Sequence, residues 1–223
     1  MAEFDGHIVW DWNGTLLDDG QVMIDSVAAA FADAGYRVTL EEHQRHFTRP
    51  ISAFCDRLAG RSLSPGELEA VLRRFDECYD LALPQVSLAE DARFALAAWT
   101  GAGGTQSLLS MCPHDVLLPA VRGAGIESSF RHVQGRTEPA PDTKAAHIER
   151  HLAALGSPDP RDVVLIGDTV DDAETAAAVG AHCVVYHSGP TALHALDHFT
   201  DRGIPTATSL SGALERANEL LSG

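Results

Sequence analysis

An aspartate near the start of the chain stands where an apolar run gives way to a tight polar turn. Residues 7–10 read as a short buried strand, and Asp11 follows them directly. The dipeptide at 13–14 is Asn-Gly, a strong turn signal. In open α/β sheets, ligands collect at the carboxyl ends of strands. Asp11 is therefore a candidate catalytic residue, with main-chain N–H groups around it.

A second carboxylate group repeats this arrangement late in the chain. Asp168 follows the apolar run at 163–167, and Asp172 stands four residues further on. If the two strand ends meet, Asp11, Asp168 and Asp172 supply the hard oxygen ligands that Mg²⁺ prefers. Asp171 has a simpler interpretation, as a negative charge that complements the dipole at the start of a helix.

Two isolated residues complete the candidate site. Ser110 ends an apolar strand, so its hydroxyl and the N–H of Met111 could hydrogen-bond a phosphoryl oxygen. Lys144 is the only lysine, whereas fifteen residues are arginine. A compact ammonium is not interchangeable with a planar guanidinium, so a single retained lysine indicates a specific role.

The elements that must position these residues alternate along most of the chain. Residues 36–86 are different, because they show helical spacing and no strand alternation. Within that block, helices are predicted at 40–54 and 68–81. Alternating strands and helices elsewhere predict a parallel sheet with helices on both faces. The predicted strands are 7–10, 105–111, 130–134, 162–166 and 181–186, and the predicted helices are 21–34, 88–100, 115–124, 143–155, 171–179 and 209–221.

Taken in chain order, Asp11, Ser110, Lys144 and Asp168 resemble the motif series of the haloacid dehalogenase (HAD) superfamily. The stretch from Asp11 resembles the first motif, Asp-x-Asp-Gly-Thr-Leu, with Asn13 in place of the second aspartate. The resemblance covers essentially the whole chain. It implies a Rossmann-like, doubly wound α/β core at residues 1–17 and 87–223, with an inserted all-helical cap domain at 18–86.

The third motif of the superfamily is also altered. A lysine often precedes Pro-x-Pro-Asp there, and Glu138 occupies that place in this chain. Some branches instead place the lysine at the start of the next helix, which is where Lys144 stands. The inserted helices resemble the cap of the branch that contains phosphoglycolate phosphatases, sugar-phosphate phosphatases and 2-haloacid dehalogenases.

The resemblance implies a Mg²⁺-dependent phosphatase that acts on a small phosphorylated metabolite through an aspartyl phosphate. Asp11 is then the nucleophile. The metal is held by Asp11, Asp168, Asp172 and the main-chain carbonyl of Asn13. The implied catalytic set is Asp11, Asn13, Ser110 and Lys144. The implied phosphate-binding residues are Trp12, Thr15, Ser110, Met111 and Lys144.

Asn13 leaves one step of that chemistry open, because an amide cannot transfer the proton that the second aspartate of the motif transfers. Losing a general acid and base typically costs about 10² to 10⁴ in rate. Three outcomes remain: a substrate with a good leaving group, a substitute acid from the cap such as His43 or His46, or a long-lived phosphoenzyme. The simpler interpretation of both histidines is that they are exposed polar residues on a cap helix.

Two other functions compete with the phosphatase. A 2-haloacid dehalogenase also uses the first aspartate as a nucleophile but needs no metal, and three crowded carboxylates make little sense without a cation. A catalytically weakened protein that binds a phosphorylated ligand or a partner is the other alternative, and Asn13 is its chief support. The sequence identifies neither the substrate nor the oligomeric state.

Composition limits the partners and the compartment. The chain has 223 residues and a formal net charge of −16, which disfavours nucleic acid and anionic membranes as partners. No segment has the roughly 18 to 20 apolar residues of a membrane span, and no secretory signal is evident. The four cysteines are scattered. We therefore expect a cytoplasmic protein with reduced thiols.

Overall fold

The computed structural model describes residues 6–137 and 143–223. Within these residues, six strands form one parallel sheet in the order β3-β2-β1-β4-β5-β6. The parallel α/β core predicted from the sequence is confirmed. The strands are β1 (His7–Trp10), β2 (Thr105–Pro113), β3 (Val133–Arg136), β4 (Val163–Gly167), β5 (His182–Tyr186) and β6 (Thr206–Ala207).

Ten α-helices accompany the sheet in the described part of the chain. The first four follow one another along the chain after β1. From the fifth helix onwards, helices and strands alternate. The helices are α1 (Gly20–Asp33), α2 (Leu40–His46), α3 (Ile51–Ala59), α4 (Pro65–Ala82), α5 (Ala92–Gly101), α6 (His114–Gly123), α7 (Ala145–Ala154), α8 (Val170–Val179), α9 (Asp197–Thr200) and α10 (Leu210–Leu221). None of them is both long and apolar enough to span a bilayer.

The sheet is covered on both faces because successive residues of its strands point in opposite directions. Ile8 and Trp10 of β1 belong to the core that contains side chains of α5, α6 and α10. Val9, between them, belongs to a second core with side chains of α7 and α8. Burial of both faces explains why β4 is apolar throughout and why β1 has one polar residue, His7, rather than an alternating pattern.

Helices α1, α3 and α4 share a separate apolar cluster. Val27 and Phe31 of α1 pack with Phe54 of α3 and Val71 of α4. Both α2 and α4 begin with a complete capping box, at Thr39 and Ser64 respectively. Helices α2 and α4 therefore have local start signals, and α1, α3 and α4 share a core of their own.

Several predicted boundaries are wrong, each for a local reason. The helix predicted at 40–54 is two helices, interrupted before Pro50, whose ring cannot continue a helix from the preceding turn. The strand predicted at 130–134 begins at Val133, because a short 3₁₀ helix at Glu127–Ser129 occupies the preceding turn. The sequence analysis did not predict the short α9 and β6.

The four cysteines are free, as expected. The three tryptophans are also buried, at most 3% exposed.

Two buried histidines meet at one serine in the core. Nε2 of His7 and Nε2 of His151 each lie 2.8 Å from the hydroxyl of Ser107. Burial lowers the pKa of His7 to about 4 and that of His151 to about 3. In the unfolded chain a histidine titrates near 6.5. Below about pH 6.5 the unfolded state therefore takes up protons that the folded state does not. As a result, the free energy of unfolding decreases as the pH is lowered.

We expect His151→Gln to flatten this pH dependence. Each such histidine contributes about 1.4 kcal/mol per pH unit between its two pKa values. Between pH 6.5 and 5.5, the variant is expected to lose about 1 kcal/mol less of its free energy of unfolding than the wild type. Urea unfolding at the two pH values measures this difference. Equal losses in the two proteins would contradict a neutral, buried His151.

Candidate active site

The carboxyl ends of β1, β2 and β4 lie side by side and bring the predicted residues to one edge of the sheet. Trp10 of β1 is in register with Leu108 of β2 and Ile166 of β4. Asp11 directly follows Trp10. Ser110 and Asp168 lie two residues beyond Leu108 and Ile166, so Asp11 stands between them. The N–H of Asp11 donates to the carbonyl of Ile166 at 2.8 Å, which ties the start of the turn to β4.

Gly14 allows the turn to pass close to Asp168. Its φ is +70°, in the left-handed region that glycine adopts readily. A β-carbon at this position would collide with the Asp168 carboxylate. Glycine is thus required here both for the backbone conformation and for space.

We expect Gly14→Ala to weaken metal binding, because the added methyl group must displace the Asp168 carboxylate. The metal concentration for half-maximal activity is expected to rise about tenfold, a loss of about 1.4 kcal/mol. A Mg²⁺ titration of activity measures this, with Gly66→Ala as control, since nothing lies within 4 Å of a β-carbon at 66. An unchanged titration curve for Gly14→Ala would contradict the proposed role of Asp168.

Three carboxylates meet at this edge of the sheet. Asp11, Asp168 and Asp172 each offer an oxygen, and these oxygens lie within 4.8 Å of one another. Both oxygens of Asp172 already have partners, because Oδ1 pairs with Lys144 and Oδ2 accepts from the N–H and hydroxyl of Thr169. No hydrogen bond from the described residues reaches the Asp168 carboxylate. Asp168 therefore has the freest oxygens of the three.

Lys144 lies among these carboxylates. Its Nζ is 2.8 Å from Oδ1 of Asp11 and also pairs with Oδ1 of Asp172, and the residue is 4% exposed. Its backbone N–H donates to Asp171 at 3.2 Å, which holds the start of α7 against the start of α8. The only lysine of the chain is thus a buried partner of the candidate nucleophile.

Burial and crowding shift the pKa values of this group. Burial, and then the neighbouring Asp172, raise the pKa of Asp11 to about 6, although Lys144 opposes the shift. Burial, Asp11 and Asp172 raise the pKa of Asp168 well above its usual range. Burial acts to lower the pKa of Lys144, but Asp11 and Asp172 outweigh it and raise that pKa, so the amine stays charged.

The charges and donor atoms of this group fit a divalent cation. Three ionised carboxylates and one ammonium leave two net negative charges in a buried pocket, and such a set is unstable without protons or a cation to compensate it. The donors are all oxygens, which suits Mg²⁺ better than a softer metal. Among the described residues this is the one such cluster with metal-binding geometry.

A cavity of about 1160 Å³ opens onto the carboxylates. Residues of helices α2 to α4, including His43, Phe54 and Tyr79, and Phe47 directly after α2 line its other side. Thr15 is absent from the lining, and its buried hydroxyl has no partner among the described residues. The predicted site residues that line the cavity are Asp11, Trp12, Asn13, Ser110, Met111, Lys144 and Asp168.

The side chain of Asn13 is held by two residues that the sequence analysis missed. Its Nδ2 donates to Oδ2 of Asp19 at 2.7 Å and to the hydroxyl of Tyr79 at 2.9 Å. Asp19 is fully buried, and burial raises its pKa. Asp19 could have been suspected from the sequence, because the carboxylate pair Asp18-Asp19 directly follows the first motif. Nothing in the sequence links Tyr79 to Asn13.

This arrangement changes the expected effect of Asn13→Asp. The resemblance to the first motif predicts faster hydrolysis for Asn13→Asp, because the aspartate restores the residue that transfers the proton. The new carboxylate would, however, face Asp19 at the distance of the present hydrogen bond. Like charges so close oppose ionisation. We expect the kcat of the double variant Asn13→Asp/Asp19→Ser to exceed that of Asn13→Asp by at least about tenfold. This gain approaches the rate enhancement that a general acid and base typically provide. Steady-state kinetics on an alkyl phosphate compare the two, and a double variant no faster than the single one would contradict this.

The two candidate cap histidines differ in their surroundings. His43 is fully buried, so the expectation that it is an exposed surface residue is wrong. Its ring stacks on Phe47 at 5.7 Å, and neither ring nitrogen has a partner among the described residues. Burial lowers its pKa to about 4. His46 is half-buried and does not line the cavity. Glu138 and the rest of its Pro-rich segment lie outside the described residues.

Comparison with known proteins identifies the family. The model for haloacid dehalogenase-like hydrolases matches residues 8–177, which is most of the chain. The protein therefore belongs to the haloacid dehalogenase-like hydrolase family, and the expectation of a hydrolase is confirmed. A comparison with curated proteins finds no match.

Solved structures of the same fold are distant in sequence. A predicted phosphoglycolate phosphatase from Haemophilus somnus is 16% identical with a TM-score of 0.71, and the alignment covers 97% of this chain and 99% of that one. A predicted phosphatase from Clostridium acetobutylicum is 13% identical with a TM-score of 0.78, covering 98% and 99%. A haloacid dehalogenase-like protein of unknown function from Agrobacterium tumefaciens is 22% identical with a TM-score of 0.74, covering 98% and 100%. At these identities the likeness concerns the fold.

Proposed function

We propose that this protein is a Mg²⁺-dependent phosphatase that hydrolyses a small phosphorylated metabolite through an aspartyl phosphate on Asp11. The observation that carries the proposal is the buried cluster of Asp11, Asp168 and Asp172 with Lys144 paired to the first and last of them. Two of the structural relatives are described as phosphatases, which agrees with this choice of reaction.

The proposal assigns each side chain a task. Asp11 attacks phosphorus, and the bond from phosphorus to the leaving oxygen breaks. Lys144 and Ser110, with the N–H groups of Met111 and Trp12, bind the charged phosphoryl oxygens. Water then attacks the same phosphorus, releases phosphate and restores Asp11.

The proposed ligands of Mg²⁺ are Asp11, Asp168 and the main-chain carbonyl of Asn13. Asp172 lies beside them as a further oxygen donor that is shared with Lys144. The ion would supply positive charge for the transferring phosphoryl group. Thr15 belongs to the proposed phosphate-binding group through its turn, because its hydroxyl does not reach the cavity. Residues 18–86 are the proposed cap domain over a core of residues 1–17 and 87–223.

A dehalogenase fits this site less well. Attack on carbon needs one carboxylate, and it leaves the proximity of Asp168 and Asp172 to Asp11 without a purpose. A protein that only binds a phosphorylated ligand agrees with Asn13 but gives no reason for a buried lysine on a carboxylate nucleophile. Turnover therefore separates this second alternative from the proposal.

The experiment is a Mg²⁺ titration of hydrolysis with an aryl phosphate, whose leaving group needs no acid. We expect activity that disappears with a chelator, returns with Mg²⁺, and requires more Mg²⁺ in Asp168→Asn. Asp159→Asn is the control, because this carboxylate is exposed and precedes β4 at the opposite edge of the sheet. Metal-independent hydrolysis, or none across a panel of phosphate esters, would contradict the proposal.

A further inference from the structure

Four hydrogen bonds surround Asn13, two within the loop after β1 and two between that loop and helix α4. Asn13 Nδ2 donates to Oδ2 of Asp19 and to the hydroxyl of Tyr79. The hydroxyl of Tyr79 donates to the same Oδ2 at 2.5 Å, and the N–H of Gly14 donates to Oδ1 of Asp19 at 2.6 Å. Asp19 is fully buried, whereas Asn13 and Tyr79 are half-buried, so these bonds are partly shielded from water.

The arrangement determines what Asn13 can offer to the cavity. Oδ2 of Asp19 and the hydroxyl of Tyr79 lie only 2.5 Å apart, too close together to face the two diverging N–H bonds of the Asn13 amide, so they share one N–H. The reverse orientation of the amide would set its oxygen against the Asp19 carboxylate, so the orientation is determined by the network. This orientation turns Oδ1 away from Asp19, and Oδ1 can only accept. No hydrogen bond from the described residues reaches it, and Asn13 lines the cavity beside Asp11.

We propose that Asp19 and Tyr79 are positioning residues that hold Asn13 with its oxygen turned toward the water that hydrolyses the phosphoenzyme. This rests on the proposed function. Oδ1 of Asn13 accepts a hydrogen bond from that water and orients it without removing a proton. The water oxygen bonds to phosphorus, the bond from phosphorus to Asp11 breaks, and both hydrogens leave with the product as dihydrogen phosphate.

Tyr79 couples this orientation to the helical region, which comprises α1 to α4 and the turns between them. Asn13 and Asp19 lie in the loop after β1, whereas Tyr79 is near the end of α4. Without Tyr79, the shared N–H of Asn13 keeps Asp19 as its one remaining acceptor, and Asp19 loses a donor. The amide can then rotate or hydrogen-bond the water in the wrong sense. Because Tyr79 acts through Asn13, its loss should affect the water step rather than the attack by Asp11.

Tyr79→Phe tests this with Tyr36→Phe as the matched control. Tyr36 is also in the helical region, and its hydroxyl accepts from Arg61 at 3.1 Å in an exposed hydrogen bond. Rapid acid quench during turnover of an aryl phosphate measures formation and hydrolysis of the phosphoenzyme separately. In Tyr79→Phe we expect hydrolysis of the phosphoenzyme to slow about 3- to 10-fold, the range of one lost hydrogen bond. Its formation should change less than about twofold.

Two consequences make the outcome distinctive. In Tyr79→Phe the fraction of enzyme trapped as phosphoenzyme rises and KM falls together with kcat, whereas Tyr36→Phe matches the wild type. Asp19→Asn is a second variant and should show the same profile. Equal slowing of both steps, or no change in either, in these two variants would overturn the inference. A wild-type enzyme that forms no phosphoenzyme would instead remove the proposed function, and this inference with it.

Discussion

Asp11→Asn is expected to abolish hydrolysis and to stabilise the fold at the same time. The amide cannot form an acyl phosphate, so kcat should fall by about 10⁴-fold or more. The pKa of Asp11 is raised to about 6 by burial and by Asp172, which means that its charged form is disfavoured in the folded protein. At pH 7.5 without metal, the neutral amide removes that cost, and the free energy of unfolding should rise by about 1 to 3 kcal/mol.

Opposite changes in activity and stability distinguish a functional carboxylate from a structural one. Urea unfolding in the presence of a chelator and steady-state hydrolysis with Mg²⁺ measure the two effects on one preparation. Asp159→Asn serves as control, with both quantities close to the wild type. If Asp11→Asn keeps more than a tenth of the wild-type kcat, Asp11 is not the nucleophile.

Lys144→Met is expected to cause the second largest loss. Methionine keeps the length of the side chain but leaves the phosphoryl oxygens without their ammonium, and removing one such preorganised donor costs about 10² to 10³ in kcat. It also leaves Asp11 and Asp172 buried without their cation, which typically costs about 3 to 5 kcal/mol of stability.

Lys144→Arg separates charge from geometry where Lys144→Met folds poorly. The guanidinium keeps the positive charge but is planar and larger, and Lys144 is 4% exposed between two carboxylates. We expect Lys144→Arg to recover most of the stability and little of the activity. Circular dichroism and kcat on an aryl phosphate measure the two properties. Activity within threefold of the wild type in either variant would show that this amine does not bind the phosphoryl group.

The sequence predicts the outer parts of the site well because they depend on local patterns. Apolar runs that end in a carboxylate specify strands in a buried parallel sheet, and parallel strands necessarily bring their carboxyl ends to one edge. Asp11 and Asp168 therefore meet, as predicted. Lys144 was singled out by composition, and its contact with Asp11 has no local signal beyond its place before α7.

The remaining features depend on packing between distant parts of the chain. Tyr79 reaches Asn13 because α4 lies against α1 and the loop after β1, and no motif encodes that contact. His43 is buried through its packing on Phe47 and Phe54, although its helix, LEEHQRH, is otherwise polar. Pro50 was a readable break within the predicted helix at 40–54, and the prediction failed there because helical spacing was given more weight than the proline.

Mapping of the phosphorylated residue is the most direct test of the account. The wild-type protein is mixed with an aryl phosphate and Mg²⁺, quenched in acid within one turnover, and treated with borohydride, which reduces an aspartyl phosphate to homoserine. Peptide mass spectrometry then locates the change. Homoserine is expected at position 11 and at no other aspartate, with none in Asp11→Asn. Turnover that leaves Asp11 unmodified, or a phosphoryl group on another residue, would contradict it.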